Sequence, residues 1–213
     1  PEIDDAVVSL EETIELAHSY DVPVIGDAAA QIYPLEALRR NAASADLVCF
    51  GGKYMGAPHS TGFVVGKQEM IDAVAAHGFI GPTPFGRAMK VDRQEIMGLV
   101  AALEAWIDTD HEQRLVNYGV KFGAIERAVQ DVSGVRETKV VPVTSYVGLM
   151  LHVVLDTNKL GKSADDVSNE LLEGSPRIRV AAEGDDTITI NVHTLNEGEE
   201  QIIADRLQDL LDA

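Results

Sequence analysis

Residues 22–66 read VPVIGDAAAQIYPLEALRRNAASADLVCFGGKYMGAPHSTGFVVG. Three apolar runs in this stretch, at 22–25, 46–50 and 62–65, are too short for helices and are bounded by glycine or charge. Each reads as a buried strand. Residues 34–43, between the first two, carry a helical pattern. Strand, helix, strand at this spacing predicts an α/β layer architecture with a parallel or mixed sheet, taken as mainly parallel. The first strand ends at Gly26-Asp27 and the second at Gly51-Gly52, directly before Lys53. Ligands of open α/β sheets bind outside the carboxyl ends of the strands, so Asp27 and Lys53 are expected to face one crevice.

Working outward, residues 7–20 set Val7, Val8, Ile14, Leu16 and Ala17 among acids and predict an amphipathic helix. A helix is expected over 68–76, then a loop over 78–86 that contains Gly78, Gly81, Pro82, Pro84 and Gly86. A long helical stretch follows over 91–129, with Ile96, Leu99, Val100, Leu103 and Trp106 on one side and a break or bend near 108–110. After Ser133-Gly134 the pattern changes to strands at 139–143 and 146–155, a helix capped by Ser163, strands at 177–181 and 187–192, and a final helix over 198–211. These make a small α+β unit, and the expected division is 1–132 and 133–213. Three strands with an uncovered edge do not make a stable doubly wound domain, so the first unit reads as the second half of a larger sheet. The opening Pro1, where an initiator Met would stand, fits a cleaved chain or part of a longer one.

The charge is uneven: 17 Lys+Arg stand against 35 Asp+Glu, a formal net charge of −18. A field of that sign repels phosphate backbones and anionic membranes, so nucleic acid is an unexpected partner. An acidic, lysine-poor surface also fits adaptation to high salt, where screening removes most of the repulsion. No apolar run approaches the roughly 20 residues that span a bilayer. Cys49 is the only cysteine, which excludes an internal disulfide and a cysteine-clustered metal site. Pro1-Glu2-Ile3-Asp4-Asp5 has neither a basic n-region nor an apolar h-region, and the expected location is cytoplasmic.

The paired motifs GDAAAQ and FGGKYMGAPHSTG, with GRAMKVDRQEIMGLVAALE and the terminal TLNEGEEQIIADRL, resemble fold-type-I pyridoxal-phosphate (PLP) enzymes. More narrowly, they resemble the group of bacterial selenocysteine synthase and D-glucosaminate-6-phosphate ammonia-lyase. The resemblance implies the second half of an aminotransferase-like large domain followed by a small C-terminal domain. It implies Lys53 as the Schiff-base lysine and proton carrier at the substrate Cα. Asp27 matches the carboxylate that keeps the PLP ring nitrogen protonated, and a buried setting would strengthen that effect. Ala29 matches the small residue packed on the ring face. Ser60 and Thr61 match the loop that reaches the cofactor phosphate, typically of the partner subunit. His59, beside them, reads as an exposed loop histidine.

Arg87 and Lys90 match basic positions at the family's active-site mouth, suited to a carboxylate or phosphate. Of Arg177 and Arg179, on the expected strand 177–181, Arg179 is taken as the substrate-carboxylate arginine. Two departures stand out. The family's serine two or three positions before the lysine is replaced by Cys49-Phe50-Gly51-Gly52, and the half that carries the stacking aromatic and first phosphate loop lies outside these residues.

The implied reaction is elimination or deamination of a small, anionic hydroxy-amino acid by a homodimer or larger homo-oligomer. A class V-like aminotransferase or a selenium or sulfur transferase is the enzymatic alternative. Class V enzymes carry His where Gly52 stands, and a desulfurase needs a mobile cysteine, whereas Cys49 is expected in a buried strand. A non-catalytic fragment, or one subunit of a split enzyme, is the third reading.

Overall fold

A computed structural model describes residues 8–78, 80, 85–143 and 145–212. The expectations for Val7 and for Gly81, Pro82 and Pro84 of the 78–86 loop lie outside the described residues. The chain folds as two compact units: residues 1–109 with 144–146, and residues 110–143 with 147–213.

In the first unit, α1 (Leu10–His18) starts at a capping box in which Ser9 and Glu12 exchange hydrogen bonds. Next come β1 (Ile25–Asp27), α2 (Leu35–Ala42), β2 (Leu47–Gly51), a 3-10 helix (Gly52–Met55), β3 (Gly62–Gly66) and α3 (Gln68–His77). A second 3-10 helix (Phe85–Met89) precedes α4 (Arg93–Asp108). The sheet order is β1-β2-β3. β1 and β2 run parallel, with Asp27 level with Cys49, whereas β2 and β3 are antiparallel. The sheet is therefore one parallel and one antiparallel pair rather than mainly parallel. The cause is the short link 52–61, which holds one 3-10 helix and no crossover of the dozen or more residues a parallel return requires. Ala28, Ile32, Leu38, Val48, Phe50 and Met55 form the core, with Leu103 and Trp106 of α4 packed on it. Trp106 donates its Nε1–H to Ile32 O at 3.1 Å. Phe50 and Phe63, opposite each other across β2 and β3, stack at 5.2 Å.

The second unit holds α5 (His111–Val129), β4 (Val135–Pro142), β5 (Leu149–Leu155), α6 (Thr157–Leu160), α7 (Ala164–Glu173), β6 (Ala181–Glu183), β7 (Thr187–Ile190) and α8 (Glu199–Leu211). Its sheet is antiparallel throughout, in the order β4-β5-β7-β6. Phe122, Ile125 and Val129 of α5 are fully buried with Leu151, Val153, Leu207 and Leu211. That burial explains why the units divide at Thr109/Asp110 and not near Val132. The expected long helical stretch is broken at 109–110 into two helices, each opened by its own aspartate cap, Asp92 and Asp110, and α5 belongs to the C-terminal core.

The strand expected at 177–181 is a second correction. Strand pairing begins only at Ala181, and residues 177–180 are extended without a ladder. Arg177 and Arg179 are both exposed while Ile178 and Val180 are buried. Exposure and burial thus alternate along 177–180, which places the two arginines on the same side.

Candidate active site

Lys53 is the second residue of the 3-10 helix that directly follows β2. The helix ends at Gly56, whose φ of +87° lies in the left-handed region that glycine adopts without strain. The loop then folds back. Gly52 N–H donates to Thr61 O at 2.9 Å, Ala57 N–H to Gly52 O at 3.1 Å, and Thr61 Oγ1 to Pro58 O at 2.7 Å. Helix α4 packs beneath this turn. A side chain on Gly52 would run into Thr61 Oγ1 and Leu99 Cδ1, and one on Gly98 would lie 2.9 Å from Pro58 Cδ. A Cβ on Gly51 would come within 3.0 Å of the Tyr54 ring. The glycine pair before the lysine is thus fixed by packing. It leaves no room for a histidine at position 52, and a serine at position 51 would crowd the Tyr54 ring.

Asp27 closes β1 at the same carboxyl edge. Its Oδ1 accepts from Ala29 N–H at 3.0 Å, and its Oδ2 has no partner among the described residues. Gly51 N–H donates to Ala29 O at 3.0 Å, which ties the segment after Asp27 to the end of β2. Both Asp27 and Lys53 are exposed. β1 is the edge of the sheet, and Lys53 stands on a surface turn, so neither is desolvated by this chain's own residues. Lys53 Nζ lies over the Tyr54 ring and forms no ion pair among the described residues. Cys49 is half-buried in β2.

The hydroxyls expected at a phosphate are differently engaged. Thr61 is buried and bonded within its own turn. Ser60 Oγ donates to Glu95 of α4, whose other oxygen accepts from Asp92 N–H at 3.1 Å in the α4 cap. His59 is exposed. Arg87, on the second 3-10 helix, and Lys90 just beyond it are exposed and unpaired among the described residues. Arg179 belongs to the other compact unit. Sequence reasoning missed Tyr54 and Glu95. An aromatic directly after the lysine, and an acid one helical turn before Gly98-Leu99, were the available signals.

It also missed a buried carboxylate at the opposite end of β2. Asp46 accepts from His18 Nε2 at 2.8 Å, Lys67 Nζ at 2.6 Å and Val24 N–H at 2.7 Å. The hydrogen bonds from His18, then Lys67, then Val24 hold its carboxyl far below the usual carboxylate range. This cluster joins α1, β1, β2 and β3 at the end remote from Lys53, and its role is structural. No group of three potential metal ligands occurs among the described residues. No described helix is long and apolar enough to cross a membrane.

The donors fit two ends of PLP. An unpaired lysine amine suits the aldehyde, and a carboxylate with one free oxygen suits the ring nitrogen. The phosphate end is not matched by Ser60 and Thr61 as they are bonded here.

An α/β sheet with an acid and a lysine at the ends of adjacent parallel strands, followed by a smaller α+β unit, defines an aminotransferase-like protein of fold type I. A family model described as L-seryl-tRNA selenium transferase, SelA, matches residues 5–121, and the chain belongs to that family. It is 27% identical over 212 residues to D-glucosaminate-6-phosphate ammonia lyase of Salmonella typhimurium, covering 98% of this chain and 54% of that protein. It is 29% identical over 173 residues to 5'-C-glycyluridine monooxygenase-decarboxylase of a Streptomyces species, covering 80% of this chain and 41% of that one. It is 25% identical over 230 residues to L-seryl-tRNA(Sec) selenium transferase of Caldanaerobacter subterraneus, covering 95% and 48%. Among solved structures, D-glucosaminate-6-phosphate ammonia-lyase superposes with a TM-score of 0.70 at 23% identity, over 98% of this chain and 54% of that one. Ornithine aminotransferase from Toxoplasma gondii superposes with a TM-score of 0.54 at 19% identity, over 95% and 46%. These likenesses bear out the group recognised in the sequence and the aminotransferase-like α/β fold. The chain spans about half the length of the curated relatives it matches.

Proposed function

We propose that this chain is the lysine-bearing part of a PLP-dependent lyase that eliminates or deaminates a small, anionic hydroxy-amino acid. The observation that carries the reading is the placement of Asp27 and Lys53 at the carboxyl ends of neighbouring parallel strands. When bound, PLP supplies an electron sink that weakens the bonds at an amino-acid Cα.

The chain's own residues would do the rest. Lys53 Nζ would hold the cofactor's aldehyde end and would take and return the proton at the substrate Cα. Asp27 Oδ2 would keep a proton on the ring nitrogen. Ala29 leaves space for the ring face. Ser60 and Thr61 stand for the phosphate, and Ser60 reaches it only by leaving Glu95. Arg87 and Lys90 would bind the substrate's anionic end, and Arg179 is a separate candidate for a substrate carboxylate.

The reading brings with it a small-molecule substrate, at least a homodimer, and a cytoplasmic location. The family match favours a second reading, selenium transfer to a seryl group. The −18 charge weighs against a tRNA-sized partner for it. The crowded space at Gly52 weighs against a class V-like site with histidine there.

The test is release of ammonia and a 2-oxo acid from a panel of hydroxy-amino acids and their phosphate esters, with added PLP and the full-length polypeptide. Turnover that Lys53→Ala abolishes is the expected result. Absence of turnover across the panel would overturn the lyase reading.

A further inference from the structure

We infer that Tyr146 is a positioning residue for Lys53, acting through the ring of Tyr54. The inference rests on Lys53 as the reactive lysine of the proposed function, and it adds a residue from far along the chain. A lysine's long, flexible stem leaves its amine many positions. An amine that must meet one carbon atom gains from having few. The surroundings of the Tyr54 ring supply that restriction.

Lys53 Nζ lies 5.0 Å from the centroid of the Tyr54 ring. Two neighbours hold that ring in place. One is the backbone of Gly51, where a Cβ would stand 3.0 Å from Tyr54 Cδ2 and Cε2. The other is the Tyr146 ring, with centroids 4.9 Å apart and planes tilted by 36°, within the spacing at which aromatic pairs attract.

Both neighbours hang on one short segment. Gly51 N–H donates to Ala29 O and Tyr146 N–H to Ala30 O, each at 3.0 Å. Ala28 N–H donates to Cys49 O at 3.0 Å, and Ala29 N–H to Asp27 Oδ1 at 3.0 Å. Successive carbonyls just after Asp27 thus fix both neighbours of the Tyr54 ring. The same segment carries the acid of the site and sets the platform under its lysine.

Tyr54 and Tyr146 are each half-buried against the core of the first unit. Residues 144–146 belong to that unit, although they lie in sequence between β4 and β5 of the other. Removing the Tyr146 ring would open one flank of Tyr54, and Gly51 has no side chain with which to close it. A ring free to swing no longer offers the Lys53 ammonium a fixed face.

The experiment is NMR of the protein with its lysines reductively methylated, first without cofactor. In the unsubstituted protein, nuclear Overhauser contacts are expected from the Lys53 methyls to the Tyr54 ring and from that ring to Tyr146. Absence of either contact would overturn the inference. Tyr146→Leu should roughly halve the upfield displacement of the Lys53 methyl resonance, and Tyr146→Phe should keep it. Lys67, at the opposite end of β2 on Asp46, should not move in either variant. An undiminished Lys53 displacement in Tyr146→Leu, or an equal loss in Tyr146→Phe, would overturn the inference. So would a Lys67 resonance that moves as far as that of Lys53, because Tyr146 would then act on the whole unit. With PLP and borohydride, Tyr146→Leu should lower the share of adduct on Lys53 severalfold, and Tyr146→Phe should restore it. An equal share in Tyr146→Leu would count against the inference. If Lys53 of the unsubstituted protein takes no PLP, the proposed function fails and the cofactor-free result still decides the role of Tyr146.

Discussion

Lys53 Nζ stands 5.0 Å from the centroid of the Tyr54 ring, and that ring lies 4.9 Å from the ring of Tyr146 at 36°. The ammonium thus rests on an aromatic pair, and the glycine at position 51 is what leaves room for the Tyr54 ring. An exposed cation over such a ring gains about 0.5–1 kcal/mol, enough to favour one side-chain position without fixing it. With the lysines reductively methylated, the Lys53 methyl resonance should show an upfield ring-current shift. Tyr54→Phe should keep that shift and Tyr54→Leu should abolish it. An unshifted Lys53 resonance in the unsubstituted protein would contradict the contact.

Gly52→Ala should destabilise the first unit by about 1–3 kcal/mol, the usual cost of forcing extra atoms into a packed site. The new methyl meets both Thr61 Oγ1 and Leu99 Cδ1, so adding Leu99→Ala should recover only part of the loss. Urea midpoints of the unsubstituted protein and the two variants check this. Full tolerance of Gly52→Ala would mean that α4 does not back the lysine turn.

Asp46→Asn should lower the thermal midpoint at neutral pH, because it removes the charge that His18 and Lys67 surround. The pH dependence has a definite sign. The carboxyl's pKa is depressed in the folded state against an ordinary value of about 3.9. Its contribution is therefore complete above about pH 4 and is lost as the pH falls further toward the folded pKa. The gap between the two proteins' midpoints should shrink as the pH falls below about 4. A gap that keeps its full size well below that pH would contradict the cluster.

Glu95→Gln should strengthen PLP binding severalfold, measured by absorbance titration. Glu95 holds Ser60 Oγ, and if Ser60 serves the phosphate as proposed, the glutamate's negative charge would oppose a dianion there. The glutamine keeps an acceptor for Asp92 N–H and hence the α4 cap. Unchanged or weaker PLP affinity would remove Ser60 from the phosphate site.

Local pattern carried much of this fold. Short apolar runs ending in Gly-Asp and Gly-Gly placed β1, β2 and the Asp27/Lys53 pair, because a strand's chemistry sits in its own residues. The antiparallel return of β3 was hidden, since direction depends on what 52–61 can span and not on the strand itself. The unit boundary was misplaced because α4 and α5 look alike in sequence. Only packing shows that Phe122, Ile125 and Val129 belong to the C-terminal core. Ser60 and Thr61 were legible as loop hydroxyls, but their partners, Glu95 and Pro58, are choices of the folded chain. Residues 177–180 had a strand's alternation without a neighbour to pair with, and alternation alone cannot reveal a missing ladder.

The most direct measurement of the central claim is borohydride reduction of the protein with PLP, followed by peptide mass mapping. A single pyridoxyl adduct on Lys53, lost in Lys53→Arg and weakened in Asp27→Asn, is the predicted result. An adduct spread over several lysines, or one that survives Lys53→Arg, would contradict the assignment of Lys53 as the cofactor-bearing residue.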